Sequence, residues 1–145
     1  MERFLGKKLI NNKNEEILID DVLKTKVIAL LFTASWCSPC LIFEKQLIEI
    51  YNDANMGDKV FEVIHISFDH TEGEFKKCLN EKPWVFFPYN DPKINELTEQ
   101  LNIESIPEFL VFNQNGKLLT ECGRKEINEK GGKVIDEWIS QAELN

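Results

Sequence analysis

The sequence has little of what membrane proteins, secreted proteins and nucleic-acid-binding proteins need. Its longest apolar run, Val27–Phe32, is far too short to cross a bilayer. The N-terminal segment 1–8 lacks the continuous apolar stretch of a secretory signal. The net charge of −8 argues against the basic surface that binds nucleic acids or anionic lipids. We therefore expect a cytosolic (cytoplasmic) protein with no membrane or nucleic-acid partner.

Linkers, internal repeats and low-complexity tracts are also missing. Hydrophobic residues make up 43% of the sequence and charged residues 29%, which is typical of a folded globular protein. The length of 145 residues suits one hydrophobic core, so we predict a single domain over residues 1–145, present as a monomer. The sequence has no glycine-rich phosphate loop, since Gly131-Gly132 lacks the strand–turn–helix context of a nucleotide site.

Hydrophobic periodicity predicts alternating strands and helices. The predicted strands are Phe4–Ile10, Val27–Phe32 and Val60–Phe68, the last with side chains that alternate between core and solvent. A hairpin is predicted for Phe109–Phe112 and Lys117–Leu119, around the turn Asn115-Gly116. The predicted helices are a weak one at Ile17–Lys24, then Pro39–Ala54, Glu72–Leu79, Pro92–Leu101 and a C-terminal helix marked by Val134, Ile135, Trp138 and Ile139. This order predicts an α/β fold with a mixed central β-sheet and helices on both of its faces.

A cysteine motif, Trp36-Cys37-Ser38-Pro39-Cys40, stands between the buried strand and the long helix. Thiol–disulfide exchange needs a thiolate, and an ordinary cysteine is mostly protonated at neutral pH. The unpaired N–H groups and positive dipole end of a helix N-terminus stabilise a negative sulfur. We therefore predict that Cys37 is the nucleophile and that Cys40, inside the helix, is the sheltered resolving thiol. Trp36, Ser38 and Pro39 are predicted to contact the substrate.

A Cys-x-x-Cys pair can also belong to a zinc site or form a structural disulfide. A zinc site needs a second close pair of ligands, whereas Cys78, Cys122, His65 and His70 are scattered singly. Permanent disulfides are rare in the cytosol. We therefore expect no metal. Cys78 and Cys122 are expected to be ordinary small residues, His65 a packed or surface residue, and His70 a loop residue.

The motif resembles that of the thioredoxin superfamily. Three further segments make the chain similar to the tryparedoxin and nucleoredoxin branch of that superfamily: Ile66–Asp69, Lys82–Tyr89 and Ile103–Pro107. The resemblance implies a thioredoxin fold with the nucleophile at the first cysteine. It also implies a cis peptide bond between Ile106 and Pro107.

In such a fold the loop that contains Pro107 lies against the cysteine pair. The main chain of Ile106 would then pair with an extended segment of the substrate, as in β-strand addition. Trp84 follows Pro83 and is the aromatic residue that we expect to line the same surface. The neighbouring Phe86 and Phe87 are expected in the core.

The sequence departs from the thioredoxin pattern at two positions. Leu31 stands where many thioredoxins carry a buried acid that helps the second cysteine lose its proton. Either water or another carboxylate serves instead, or resolution is slower. Glu44 and Asp69 are candidates, although such residues are more often on a solvated helix face or at a helix cap. Leu41 stands where relatives often carry a basic side chain. We expect the loss of that positive charge to change the choice of partner.

These features predict a thioredoxin-like protein-disulfide reductase that works by dithiol–disulfide exchange. Its substrates would be disulfide-containing proteins. An upstream thiol donor or reductase must reduce the Cys37–Cys40 disulfide again, because the chain has no flavin or nicotinamide site and we expect no other cofactor. The alternative hypothesis is a redox-sensitive, nucleoredoxin-like binding or regulatory module with little turnover.

Overall fold

Strands and helices alternate along most of the chain in the computed structural model, which describes residues 1–6 and 8–144 apart from the side chains of residues 2 and 3. The strands are β1 (Leu9–Ile10), β2 (Glu16–Ile17), β3 (Val27–Thr33), β4 (Phe61–Ser67), β5 (Val85–Phe86), β6 (Glu108–Asn113) and β7 (Leu118–Thr120). The helices are α1 (Glu2–Leu5), α2 (Ile19–Leu23), α3 (Ser38–Ala54), α4 (Glu72–Glu81), α5 (Pro92–Gln100), α6 (Gly123–Lys130) and α7 (Lys133–Glu143).

The strands form one sheet in the order β2-β1-β5-β4-β3-β6-β7. Strand β3 pairs in parallel with β4, where Leu31 lies opposite His65, and antiparallel with β6, where Leu31 lies opposite Phe109. Strand β5 is parallel to β4, whereas β1 and β7 pair antiparallel with their neighbours. The predicted mixed sheet is therefore confirmed.

Helices cover both faces of this sheet. Successive side chains of a strand point to opposite faces, so Ala29 and Leu31 enter one core while Leu30 and Phe32 enter the other. The first core is completed by α3, α4, α6 and α7, and the second by α1, α2 and α5. This explains why the run at Val27–Phe32 is apolar throughout. Within the described part of the chain, no helix combines the length and hydrophobicity that crossing a membrane requires.

The N-terminal prediction of a single strand at Phe4–Ile10 is wrong. Its first part is the helix α1, which buries Phe4 and Leu5, and only Leu9–Ile10 is a strand. Gly6 lies between them with a φ of 67°, a conformation that a strand cannot contain. Lys7, within the predicted strand, and Asn145, at the end of the predicted domain, lie outside the described residues.

Three further elements were not predicted, and one strand differs in its burial. Strands β2 and β5 have only two residues each, and α6 is so polar that it lacks a clear apolar stripe. Strand β4 is buried along its whole length, including Glu62 and His65, instead of alternating between core and solvent. Both polar side chains make buried hydrogen bonds, to Tyr51 and Trp84 respectively.

Candidate active site

The two cysteines of the motif lie at the start of helix α3. Cys37 is the N-cap residue, and its Sγ accepts a hydrogen bond from the backbone N–H of Cys40 at 3.3 Å. Pro39 lies in the first turn, where its missing N–H leaves no bond unmade. Cys37 is half-buried, while Cys40 is fully buried directly behind it. A negative sulfur at Cys37 would therefore face the positive end of the helix.

Cys40 has surroundings that keep its proton in place. Burial, followed by its hydrogen bond with Cys37, raises the pKa of Cys40 to about 11, although the Thr33 hydroxyl and the Ala34 backbone act in the opposite direction. The thiol is therefore protonated at neutral pH, and it needs a proton acceptor before it can attack a disulfide.

The loop before Cys37 is fixed by the residues that follow β4. Both the backbone N–H and the hydroxyl of Ser35 donate to Oδ1 of Asp69, at 2.6 and 2.7 Å. The indole N–H of Trp36 donates to the carbonyl of Phe68 at 3.4 Å, and its ring stacks on His70 with centroids 5.3 Å apart. Asp69 thus holds the loop in position and is neither a solvated residue nor a helix cap.

The loop before β6 lies on the other side of Cys37. The peptide bond between Ile106 and Pro107 is cis, as the resemblance implied. The carbonyl oxygen of Ile106 lies 3.9 Å from Sγ of Cys37, and Pro107 is buried. Because Ile106 precedes the first paired residue of β6, Glu108, its main chain lies outside the sheet.

Apolar side chains are exposed around Cys37. Trp36 is 52% exposed, and Leu41 and Ile42, in the first turns of α3, are 45% and 74% exposed. Ser38 and Pro39 are exposed as well. The surface around Cys37 is therefore apolar.

Comparison with known proteins agrees with this arrangement. A family model described as thioredoxin-like matches residues 25–118. The chain belongs to the thioredoxin-like family. Among solved structures, tryparedoxin from Trypanosoma brucei superposes with a TM-score of 0.82 at 29% identity over 92% of both chains. Thioredoxin from Wuchereria bancrofti gives 0.80 at 27% identity, over 95% of this chain and 97% of its own.

Curated relatives of this thioredoxin-like chain are nucleoredoxins. Probable nucleoredoxin 3 of Oryza sativa subsp. japonica is 37% identical over 143 residues, which cover 92% of this chain and 30% of the relative. Nucleoredoxin of Bos taurus is 31% identical over 79% of this chain and 26% of the relative. The chain thus spans less than a third of the length of these relatives. The thioredoxin fold and the resemblance to tryparedoxins and nucleoredoxins are confirmed.

The prediction that Trp84 lines the substrate surface of this thioredoxin-like protein is wrong. Trp84 is only 1% exposed, and its indole N–H donates to Nδ1 of His65 at 3.1 Å. Its ring packs edge-on against Tyr51. The next residue, Val85, pairs with Ile64 of β4, so Trp84 lies in the core beneath the sheet. A buried indole N–H needs an acceptor, and His65 provides it.

His65 and Cys78 form a polar cluster beneath the sheet with Glu44. Among the residues that the structure describes, these three bring potential metal-ligating atoms within 4.8 Å of one another. The Trp84 N–H can only donate, so Nδ1 of His65 is an acceptor and Nε2 carries the hydrogen, 3.7 Å from Sγ of Cys78. Glu44 is already paired with Lys82. His65 and Glu44 are therefore already bound to other partners. We still predict that no metal binds here.

Burial controls the ionisation of this cluster. It lowers the pKa of His65 to about 3, with the Lys82 charge acting in the same direction. It raises the pKa of Cys78 to about 12. At neutral pH both groups are therefore uncharged.

Glu44 connects this cluster to the cysteine pair and is not on a solvated helix face. It is 1% exposed, accepts a hydrogen bond from the Thr33 hydroxyl at 2.5 Å, and lies 3.3 Å from Nζ of Lys82. Thr33 and Lys82 were not identified from the sequence. The available signal was the position of Glu44, four residues after Cys40 and therefore on the same face of α3.

Proposed function

We propose that this protein is a thiol-disulfide oxidoreductase that reduces disulfides in other proteins. Cys37 is the nucleophile and Cys40 the resolving thiol. The observation that carries this proposal is the geometry of the pair: a half-buried Sγ of Cys37 accepts the Cys40 N–H at a helix start, and Cys40 is buried behind it. Membership of the thioredoxin-like family supports the same redox chemistry.

The reaction has two thiol–disulfide exchanges. The Cys37 thiolate first attacks one sulfur of the substrate disulfide; that bond breaks, and the other substrate sulfur leaves as a thiolate and takes up a proton. The Cys40 thiolate then attacks Sγ of Cys37, which breaks the mixed disulfide and releases the second substrate sulfur. The substrate has gained two electrons, and the protein is left with a Cys37–Cys40 disulfide. An external thiol donor or reductase returns those electrons, so we propose no bound cofactor.

The surface around Cys37 supports a protein substrate. Trp36, Leu41 and Ile42 offer apolar contacts to a chain that carries a disulfide. The main chain of Ile106, whose carbonyl lies 3.9 Å from Sγ of Cys37, is available to pair with an extended segment of that substrate. Leu41 brings no positive charge to this surface, which favours partners that do not need a basic contact there.

The same exposed apolar side chains support a second candidate, a redox-sensitive binding module with little turnover. In this alternative the oxidation state of the cysteines would control the binding of a partner. The two candidates differ in whether binding survives loss of both thiols. A module would still capture its partner as Cys37→Ser/Cys40→Ser, whereas a reductase would lose its covalent intermediate.

Reduction of insulin disulfides with a small dithiol as electron donor tests the proposal. We expect activity in the unchanged protein and a loss to the uncatalysed background in Cys37→Ser, because the first attack needs this thiolate. Cys122→Ser is the matched control: it removes another accessible thiol, which lies outside the site, and should leave the rate unchanged. Full activity in Cys37→Ser would contradict the proposal.

A further inference from the structure

The second step of the proposed reaction, on which this inference rests, requires a proton acceptor for Cys40. Its thiol is fully buried and carries its proton at neutral pH. The strand residue that faces the core at this level, Leu31, has no acidic group. The acceptor must therefore be sought among the polar groups packed around the first turns of α3.

The Thr33 hydroxyl lies between Cys40 and Glu44. It donates to Oε2 of Glu44 at 2.5 Å, and it lies close enough to Cys40 to lower the pKa of that thiol through a hydrogen bond. All three side chains are buried. A hydroxyl has one hydrogen. When it donates to the Glu44 carboxylate, its oxygen accepts from the Cys40 thiol. When it donates to a Cys40 thiolate, its oxygen accepts from a protonated Glu44. The same contacts thus serve both protonation states.

We propose that Glu44 accepts the proton of Cys40 through the Thr33 hydroxyl when Cys40 attacks the mixed disulfide. The S–H proton moves to Oγ1 of Thr33 while the hydroxyl hydrogen moves to Oε2 of Glu44. The transfer leaves a Cys40 thiolate, an intact threonine hydroxyl and a neutral carboxylic acid. No proton needs to enter or leave the protein during this step.

Lys82 keeps the transfer electrically balanced. Its ammonium group lies 3.3 Å from Oε1 of Glu44, and both side chains are buried. The transfer moves one negative charge from the Glu44 carboxylate to Cys40, so the summed charge of Lys82, Glu44 and Cys40 is the same before and after it. Because the net charge of the buried group does not change, the transfer avoids the large cost of creating an isolated charge in the interior.

Other titratable groups near Glu44 are unsuited to this role. His65 already accepts the Trp84 N–H at Nδ1 and carries its own hydrogen at Nε2. Oδ1 of Asp69 accepts two hydrogen bonds from Ser35, and among the described residues no hydrogen bond joins Asp69 to Thr33 or Cys40. Cys78 carries its own proton.

Glu44 itself has the properties of an acceptor. Burial raises its pKa, although Thr33 and Lys82 act in the opposite direction. Its Oε2 is the atom that accepts the Thr33 hydroxyl.

The test follows the reaction of the reduced protein with a chromogenic aromatic disulfide by stopped flow. One aromatic thiol is released when Cys37 attacks and a second when Cys40 resolves the mixed disulfide, so one trace reports both steps. In Thr33→Val and Glu44→Gln we expect the second phase to slow by about tenfold or more near neutral pH, with the first phase unchanged. In these variants the second phase should depend more steeply on pH, because hydroxide must replace Glu44.

Two controls separate this role from a structural one. Thr33→Ser restores a hydroxyl and should rescue the second phase lost in Thr33→Val, a variant that also leaves the Glu44–Lys82 ion pair in place. Glu49→Gln makes the same chemical change as Glu44→Gln on an exposed position of α3 and should affect neither phase. Unchanged second phases in both Thr33→Val and Glu44→Gln, or equal slowing of both phases, would overturn the inference.

Failure of this inference is distinguishable from failure of the proposed function. If the unchanged protein gives no first phase, or if Cys37→Ser still gives both phases, the proposed function is wrong and the inference falls with it. If the first phase needs Cys37 but the second ignores Thr33 and Glu44, the reductase proposal stands and only the proton route is wrong.

Discussion

Cys40 and Cys78 are both buried thiols on helices that pack against the same face of the sheet, yet their surroundings differ. Burial raises the pKa of both, to about 11 and about 12. Cys40 lies behind a second thiol and beside the Thr33 hydroxyl. Sγ of Cys78 lies 3.7 Å from Nε2 of the neutral His65 and within 4.8 Å of a carboxylate oxygen of Glu44. Burial favours the protonated, unreactive form of both thiols. In the proposed mechanism, the neighbouring sulfur of Cys37 and the contact between Thr33 and Glu44 make Cys40 usable.

The largest effect that we expect is a difference in alkylation rate between the cysteines of the native protein. At about pH 7 a thiol with the pKa of Cys78 is ionised to only about one part in 10⁵, and it is also shielded from reagents. We expect iodoacetamide to modify Cys37 at least about a thousandfold faster than Cys78, as followed by mass spectrometry of the peptides. In denatured protein the two rates should become similar. Modification of native Cys78 as fast as exposed Cys122 would contradict the comparison.

A second prediction concerns Lys82, which carries the counter-charge of the buried Glu44 carboxylate. Lys82→Met leaves the buried Glu44 carboxylate without its counter-charge, so the free energy of unfolding should fall by about 3 kcal/mol near neutral pH. The double variant Glu44→Gln/Lys82→Met has no unpaired charge and should recover part of that loss. Urea denaturation of the single and double variants measures both. If the two single losses simply add in the double variant, the ion pair does not hold this region together.

A smaller effect comes from the neutral histidine beside Cys78. Native His65 has a pKa of about 3, whereas a histidine in the unfolded chain has a pKa of about 6.5. Between these values the unfolded chain binds a proton that the native protein does not, so this group's contribution to stability is lost as the pH falls. From about pH 6 to about pH 5 the protein should lose about 1.2 kcal/mol relative to His65→Gln. If the free energy of unfolding changed equally with pH in the two proteins over this range, native His65 would have to be charged or exposed.

The central elements were predictable because their signals are local. The run Val27–Phe32 is apolar on both faces, and the spacing of Phe43 and Leu47 defines the buried side of α3. The cysteine motif needed only its position between these two elements. Local patterns of this kind survive folding because neighbouring residues along the chain determine them.

The proposed proton route was not predictable in the same way because it depends on contacts between distant parts of the chain. Glu44 shares a face of α3 with Cys40, but a charged side chain is buried there only with partners, and these come from Thr33 on β3 and from Lys82 at the end of α4. Trp84 is drawn into the core by pairing of its neighbour Val85. Neither contact leaves a periodic signal in the sequence.

The most direct test of the account identifies the cysteine that joins the substrate. Cys40→Ser removes the proposed resolving thiol, so a protein with a disulfide, such as insulin, should remain attached as a mixed disulfide. Peptide mapping of that adduct by mass spectrometry is predicted to find the bond at Cys37. An adduct at the exposed Cys122, or at no cysteine, would contradict the assignment of Cys37 as the nucleophile.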